Sequence, residues 1–260
     1  LATPTAGYVR IAEDGSVRFT PHPDFAGNAI VIYEISDSTG LTSTATLALT
    51  VLPVNDNPVA LDEIVAGTED TVLQFDPALL LANDRDVDNT PAELSISALG
   101  AAQHGTVRWQ ETADGQTILF TPDADYSGEA GFAYTVADGA GGEAQGYVTV
   151  NVANVNDAPV ANDDSASGLE DTPLNWTSTA LTDNDTDVDH DTLSVTGVGN
   201  ARGGTVALIG NQVVFTPDTD YSGPGGFDYT ASDGHGGLSS AHVALEDRKS
   251  TRLNSSHRIR

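Results

Sequence analysis

The chain has 260 residues, no cysteine, and 38 acidic against 10 basic residues, which gives a formal net charge of −28. The missing cysteines exclude disulfides and thiol catalysis, and the negative charge disfavours contact with nucleic acid or with anionic membrane surfaces. Such a charge also destabilises a compact state unless cations neutralise it. No segment is typical of a signal peptide or a membrane span.

The chain repeats itself with a period of about a hundred residues. Segment 54–60 recurs 101 residues later as 155–161, each time with an Asn-Asp pair and a following Pro. The tripeptide Phe-Thr-Pro stands at 19–21, 120–122 and 215–217, and the third copy is six residues shorter, which we assign to the hairpin around 110–115. Because Pro ends regular strand pairing, the two Asn-Asp segments are interpreted as joints between repeats.

Within each repeat the pattern is that of β-strands. Apolar residues alternate with polar ones over 44–51 and again over 147–152, so one face is expected to be buried and the other wet. Helix is nearly absent, apart from a single predicted turn over 77–81. The predicted fold class is all-β, with tandem β-sandwich repeats of the cadherin or immunoglobulin kind.

The repeat columns predict four segments. Residues 1–54 form the C-terminal half of a repeat, 55–155 a complete repeat, 156–246 a repeat that lacks its last strand residues, and 247–260 a tail outside the fold. The half repeat is expected to expose core-facing residues such as Val31, Tyr33 and Leu47. The tail holds five of the ten basic residues and resembles a translated sequencing adapter, the alternative being a genuine basic tail.

Carboxylates at every second position dominate two segments. Asp86 and Asp88 alternate with other residues, and the same spacing returns as an acidic run at 183, 185, 187, 189 and 191. Ca²⁺ takes six to eight oxygen ligands, so such a segment can turn several oxygens toward one ion. The run is not an EF-hand, because Val188 stands where that loop needs Gly. The alternative is a set of solvated turn residues.

These residues resemble a known family. The linker 55–58 is similar to the cadherin linker D-x-N-D-N-x-P, Glu-Asp-Thr at 69–71 to the early glutamate motif, and 86–88 to the D-x-D motif. Phe-Thr-Pro, Asp-Tyr-Ser-Gly and Asp-Gly-x-Gly together resemble the cadherin-like repeats of large bacterial RTX-type adhesins still more closely. The linker is one residue shorter than in animal cadherins, and Asp-Tyr-Ser-Gly lacks a glutamate, so the number of ions per joint stays open.

The resemblance implies calcium ligands at two joints. The first joint would use Asp24, Asn55, Asp56, Asp86, Asp88 and Asp138. The second joint would use Glu69, Asp125, Asn156, Asp157, Asp187, Asp189 and Asp233. Ca²⁺ is therefore the expected cofactor.

The predicted function is non-enzymatic. No nucleophile elbow or phosphate-binding loop is present, the histidines share no repeat column, and Trp109 and Trp176 align with apolar core positions. The resemblance implies a calcium-rigidified extender segment of a bacterial surface adhesin, extracellular, which spaces a distal binding module from the cell. Its partners would be neighbouring repeats and, through other domains, a surface ligand, with no nucleic acid and no direct membrane contact. The alternative is a ligand- or carbohydrate-binding module of a secreted enzyme.

Overall fold

The computed structural model describes residues 5–113, 115–221 and 223–247, and the predicted tail beyond 247 lies outside them. The described chain forms two compact units, the first ending at Ala153 and the second beginning at Asn154. The first unit contains both the half repeat and the first complete repeat, and the second contains the last repeat. Strands account for nearly all regular structure in both units, which confirms the all-β prediction.

The half repeat holds two hairpins. Its strands are β1 (Gly7–Ile11), β2 (Val17–Pro21), β3 (Gly27–Ser36) and β4 (Thr42–Val51). The complete repeat of the first unit holds β5 (Glu63–Thr68), β6 (Leu73–Phe75), α1 (Pro77–Leu80), β7 (Ser95–Gln103), β8 (Gly105–Thr112), β9 (Gly115–Pro122), β10 (Gly128–Ala137) and β11 (Glu143–Ala153). The second unit holds β12 (Asp164–Gly168), β13 (Leu174–Thr177), α2 (Ser178–Leu181), β14 (Ser194–Arg202), β15 (Gly204–Ile209), β16 (Gln212–Pro217), β17 (Gly225–Ser232) and β18 (Leu238–Asp247).

The complete repeats share one sandwich topology. In the first unit, a four-stranded sheet β5-β11-β10-β7 faces a three-stranded sheet β6-β9-β8, and the second unit repeats this as β12-β18-β17-β14 and β13-β16-β15. All pairings are antiparallel except that of the first strand with the last one, β5 with β11 and β12 with β18. In each repeat, the four-stranded sheet is therefore completed by strands from the two ends of the repeat.

Alternate residues of the central strands build each core. In β10, Ala130, Phe132, Tyr134 and Val136 are buried, and they pack with residues of β9 and β11. The second unit has the same arrangement, in which the Trp176 ring lies 5.5 Å from that of Phe227. Burial of one large apolar side chain stabilises a fold by about 1.5–3 kcal/mol, so these columns carry most of the stability. Both tryptophans pack against the cores, as predicted.

The half repeat keeps only part of this burial. Val31 is 2% exposed, so the prediction of its exposure is wrong, whereas Tyr33 is 38% and Leu47 45% exposed. In β10, Tyr134 and Val136 pair with Leu99 and Ile96 of the neighbouring strand β7. Among the described residues of the half repeat, β3 pairs with β4 alone. The inner-face residues of β3 are therefore buried near Gly27 and exposed toward Ser36.

Two details differ from the sequence prediction. The predicted turn over 77–81 is a helical turn followed by a 3₁₀ turn, Leu81–Asn83, and a second helical turn that was not predicted occupies the same place in the other repeat, at Ser178–Leu181. The hairpin runs from Gly105 to Pro122 in one repeat and from Gly204 to Pro217 in the next, which accounts for only four of the six missing residues. The other two are lost earlier, before β15.

Candidate metal sites

In each complete repeat, one β-bridge joins the linker segment to the stretch of alternating carboxylates that follows it in sequence. Val59 N–H donates to Arg85 O at 2.7 Å, and Arg85 N–H donates back to Val59 O at 3.1 Å. In the second unit Val160 and Thr186 form the same bridge, at 2.8 and 3.1 Å. The run of alternating carboxylates is therefore held beside its own linker in both units.

The linker of the first unit is held by side chains that are distant in sequence. Asn55 Nδ2 donates to Asp138 Oδ2 at 2.6 Å and to Asp56 O at 3.1 Å, which uses both amide hydrogens and leaves the amide oxygen for another partner. The backbone N–H of Asp56 donates to Asp88 Oδ2 at 2.9 Å. Four of the six residues predicted for the first joint are thus in direct contact.

The Asp138 carboxylate is held by the backbone of the loop that follows it. Its Oδ1 accepts hydrogen bonds from the N–H groups of Ala140, Gly141 and Gly142, at 2.7, 3.0 and 2.9 Å. A Cβ atom at Gly142 would overlap Asp138 Oδ2, so the carboxylate can lie this close to the backbone only because position 142 is glycine. The Asn55 amide and these N–H groups lower the pKa of Asp138, which keeps the side chain anionic.

The remaining two predicted ligands of the first joint lie beside this cluster. Asp86 Oδ1 accepts from the N–H groups of Asp88 and Asn89, at 2.7 and 2.9 Å, while its Oδ2 is buried and has no hydrogen-bond partner. Asp24, Asp56 and Asp88 line one cleft of about 260 Å³. A buried carboxylate oxygen without a donor is costly unless a cation binds it, so this arrangement fits a calcium ion.

The second unit repeats this geometry. Asn156 Nδ2 donates to Asp233 Oδ2 at 2.8 Å, and the backbone N–H of Asp157 donates to Asp189 Oδ2 at 2.8 Å. Asp187 Oδ2 is buried without a partner, as is Asp86 Oδ2 in the first unit. The carboxylate oxygens of Asp187, Asp189 and Asp191 lie within 4.8 Å of one another. Asp191 belongs to the alternating run but was missing from the predicted ligand set.

Glu69 and Asp125, predicted for the second joint, lie in the first unit. The Glu69 side chain is buried, and its backbone N–H donates to Ala153 O at 3.1 Å. Asp125 has a left-handed backbone, with φ of 54°, and its N–H lies 3.4 Å from Asp70 Oδ1. Asp220 and Asp171 form the same pair at 3.0 Å in the second unit. The sequence prediction missed Asp70 as a neighbour of Asp125, although the repeated Glu-Asp-Thr motif contains it.

Acid should remove the contribution of two linker-site carboxylates to stability when calcium is absent. The folded-state pKa of Asp138 and of Asp233 is lowered from the ordinary value of 3.8, chiefly by the amides of Asn55 and Asn156. A lowered pKa stabilises the fold above that value, and the stabilisation is lost as the pH falls through the folded-state pKa. Urea unfolding in chelator should therefore show this contribution decreasing below about pH 4. The variant Asp138→Asn with Asp233→Asn should lose less stability over that pH range, and an equal loss would contradict the assignment.

Comparison with known proteins decides the family. The model of the cadherin-like domain matches residues 54–153 and 155–246. The chain belongs to the cadherin-like domain family. The model of the bacterial Ig domain matches residues 1–50 of this cadherin-like chain. No curated protein matches the chain.

Solved structures show the same fold. The chain is similar to repeats EC22–24 of mouse cadherin-23, with 17% identity, a TM-score of 0.55, and coverage of 94% of this chain and 83% of that one. Repeats EC3–6 of protocadherin gammaB7 give 16% identity, a TM-score of 0.50, and coverage of 92% and 63%. An endo-fucoidan hydrolase of glycoside hydrolase family 107 matches 95% of this chain with a TM-score of 0.31, and the chain spans 38% of its length. The two cadherin likenesses show the fold alone.

The family accounts for the general character of the chain. Cadherin-like domains are extracellular, non-enzymatic modules that typically bind calcium, and acidic clusters able to hold a metal are present here. In the part of the chain that the structure describes, no helix is long and apolar enough to cross a membrane. The predicted fold class of tandem cadherin-like sandwiches is confirmed.

Proposed function

We propose that this chain is a calcium-rigidified extender segment of a bacterial cell-surface adhesin, which mediates adhesion by spacing a distal binding module from the cell. One observation carries the proposal: the linker pair Asn55 and Asp56 is held on Asp138 and Asp88, next to the buried and unpartnered Asp86 Oδ2. The match of residues 1–50 to a bacterial Ig domain supports a bacterial source. The distal ligand would be bound by other domains of the parent protein.

The proposed ligands of the first ion or ions are the linker residues together with the carboxylates around them. They are Asp24, Asn55, Asp56, Asp86, Asp88 and Asp138. When bound, calcium supplies positive charge that converts carboxylate repulsion into shared coordination. Residues from before and after the linker would then hold one cluster of ions, so the joint would resist bending.

The second joint carries equivalent residues on both sides of its linker. We propose Glu69 and Asp125 before it, Asn156 and Asp157 within it, and Asp187, Asp189 and Asp233 after it. Residues Asn156, Asp157, Asp189 and Asp233 already form the contacts seen at the first linker. The alternative of a carbohydrate-binding module has less support, because Trp109 and Trp176 are partly buried and pack against the two cores.

Small-angle scattering on the full chain tests the extender function. We expect a longer maximum dimension in millimolar Ca²⁺ than in chelator for the unaltered protein, because ion binding should restrict bending at the joints. The variant Asp187→Asn with Asp189→Asn removes two negative charges while nearly preserving side-chain size. It should lose the part of the calcium-dependent extension that comes from the second joint.

A matched control separates ligand loss from charge loss. Asp218→Asn with Glu246→Gln removes the same two charges at exposed positions of the same unit, outside the acidic run, and this variant should extend with calcium as the parent does. If the Asp187/Asp189 variant also extends fully, these carboxylates are solvated turn residues and the proposed ligand set of the second joint is wrong.

A further inference from the structure

A second group of carboxylates lies inside each complete repeat, around the hydroxyl of its buried central tyrosine. In the first unit, Tyr134 Oη donates to Glu63 Oε2 at 2.9 Å and lies 3.3 Å from Leu61 O. The backbone N–H of Leu61 donates to Asp84 Oδ1 at 2.8 Å, which brings the second carboxylate to the same place. None of these residues was predicted as a ligand from the sequence.

Two oxygens of this group have no donor. Glu63 Oε1 and Asp84 Oδ2 are buried without a hydrogen-bond partner, and the Asp84 residue is only 1% exposed. The charges acting on Glu63 are those of Asp84 and Asp62, both negative. Burial raises the pKa of both Glu63 and Asp84, and at Glu63 the Tyr134 hydroxyl and the Asn83 amide partly oppose this effect. Among the described residues, no cationic side chain acts on these two carboxylates, so negative charge is left uncompensated at the buried oxygens.

The second unit has the same group. Around Tyr229 Oη lie Asn162 O at 3.1 Å, Leu181 O at 3.0 Å and both oxygens of Asp185 at 2.9 and 3.1 Å. A phenol has one hydrogen and can donate it to one of these four acceptors. Asp185 Oδ1 also accepts from the Asn162 N–H at 2.8 Å, and Asn162 O accepts from Asn184 Nδ2 at 3.3 Å. Asp164 Oδ2, in the column of Glu63, is again buried without a partner.

A cation accounts for these contacts better than an extra proton. A single proton can satisfy one pair of oxygens, whereas a hard cation accepts six to eight oxygen ligands around itself. Carboxylate, phenol and backbone carbonyl oxygens are all present, and the two carboxylates match a divalent charge. We propose that each complete repeat binds a hard divalent cation such as Ca²⁺ inside the sandwich, at Glu63, Asp84 and Tyr134 in the first unit and at Asp164, Asp185 and Tyr229 in the second.

The test counts calcium ions bound by the full chain at saturation, by equilibrium dialysis and by native mass spectrometry. The variant Glu63→Gln with Asp164→Asn removes one carboxylate from each internal group and leaves every proposed joint ligand intact. It should bind about two fewer ions per chain. Glu143→Gln with Asp218→Asn makes the same charge change at exposed positions and should bind as many ions as the parent.

An unchanged ion count overturns the proposal. If that variant also becomes more stable in chelator, the oxygens share a proton, because an amide would then supply the missing donor. The joint variant Asp187→Asn with Asp189→Asn and the internal variant Glu63→Gln with Asp164→Asn are counted separately. An unchanged ion count in the joint variant would contradict the proposed function alone, so the two proposals fail separately.

A second measurement keeps the proposal testable if the carboxylate variant fails to fold. Tb³⁺ occupies calcium sites and emits when an aromatic ring beside it absorbs light. The variant Tyr134→Phe with Tyr229→Phe keeps the buried rings but removes the phenol oxygens and their absorption band. We expect this variant to lose most of the tyrosine-sensitised Tb³⁺ emission. Emission equal to that of the parent would show that no ion lies beside these hydroxyls.

Discussion

Excess chelator should lower the melting temperature of the second unit by about 10–20 °C relative to 10 mM Ca²⁺. Calcium sites of extracellular modules have dissociation constants on the order of 10⁻⁴ to 10⁻³ M. A concentration of 10 mM Ca²⁺ is about a hundredfold above the lower of these dissociation constants, and binding then stabilises the folded state by about 2.7 kcal/mol. A domain of about a hundred residues gains roughly 4–8 °C per kcal/mol. Differential scanning calorimetry on the full chain measures the shift.

The variant Asp187→Asn with Asp189→Asn identifies the transition that belongs to the second unit. Its melting temperature should respond much less to calcium than that of the parent, since two of the proposed ligands have lost their charge. The control variant Asp218→Asn with Glu246→Gln should respond as the parent does. If chelator and calcium give the same melting temperature for the unaltered chain, the calcium hypothesis is wrong.

Replacing Gly237 by Ala should disrupt the second linker site from within the fold. A Cβ atom there would overlap Asp233 Oδ2 and lie 2.8 Å from the Ala158 Cα atom. Gly237 N–H also donates to both Asp233 oxygens, at 3.0 and 2.9 Å. The added methyl group must push the carboxylate away from Asn156, and overpacking of this kind costs about 1–3 kcal/mol. Urea unfolding measures the loss in stability, and calorimetric titration measures the calcium affinity.

Gly199 offers the matched control in the same unit. A Cβ atom at that position meets nothing within 4 Å, so Gly199→Ala should leave both stability and calcium affinity close to those of the parent. If Gly237→Ala binds calcium as tightly as Gly199→Ala does, the Asp233 carboxylate is not a ligand and its role is confined to the turn. The equivalent change in the first unit, Gly142→Ala, should act in the same way, because its Cβ would overlap Asp138 Oδ2.

Local patterns were sufficient for the fold class and for much of the linker geometry. Alternation over a strand indicates which face is buried, and β11 confirms this, because Val148, Val150 and Val152 of the alternating segment 147–152 are buried. The resemblance to cadherin repeats implied that Asn55 and Asp138 belong to one joint, although 83 residues separate them.

The sequence by itself determined that the chain is a tandem array of acidic β-sandwiches, because strand periodicity and repeat spacing are properties of neighbouring residues. Only the tertiary structure decided which inner-face residues of the half repeat are buried, since Val31 is buried whereas Tyr33 is exposed. It also brought Glu63 to the hydroxyl of Tyr134 and left Asp84 Oδ2 without a donor. Periodicity assigns a side chain to a face, but its burial and its partners depend on strands that pair from distant parts of the chain.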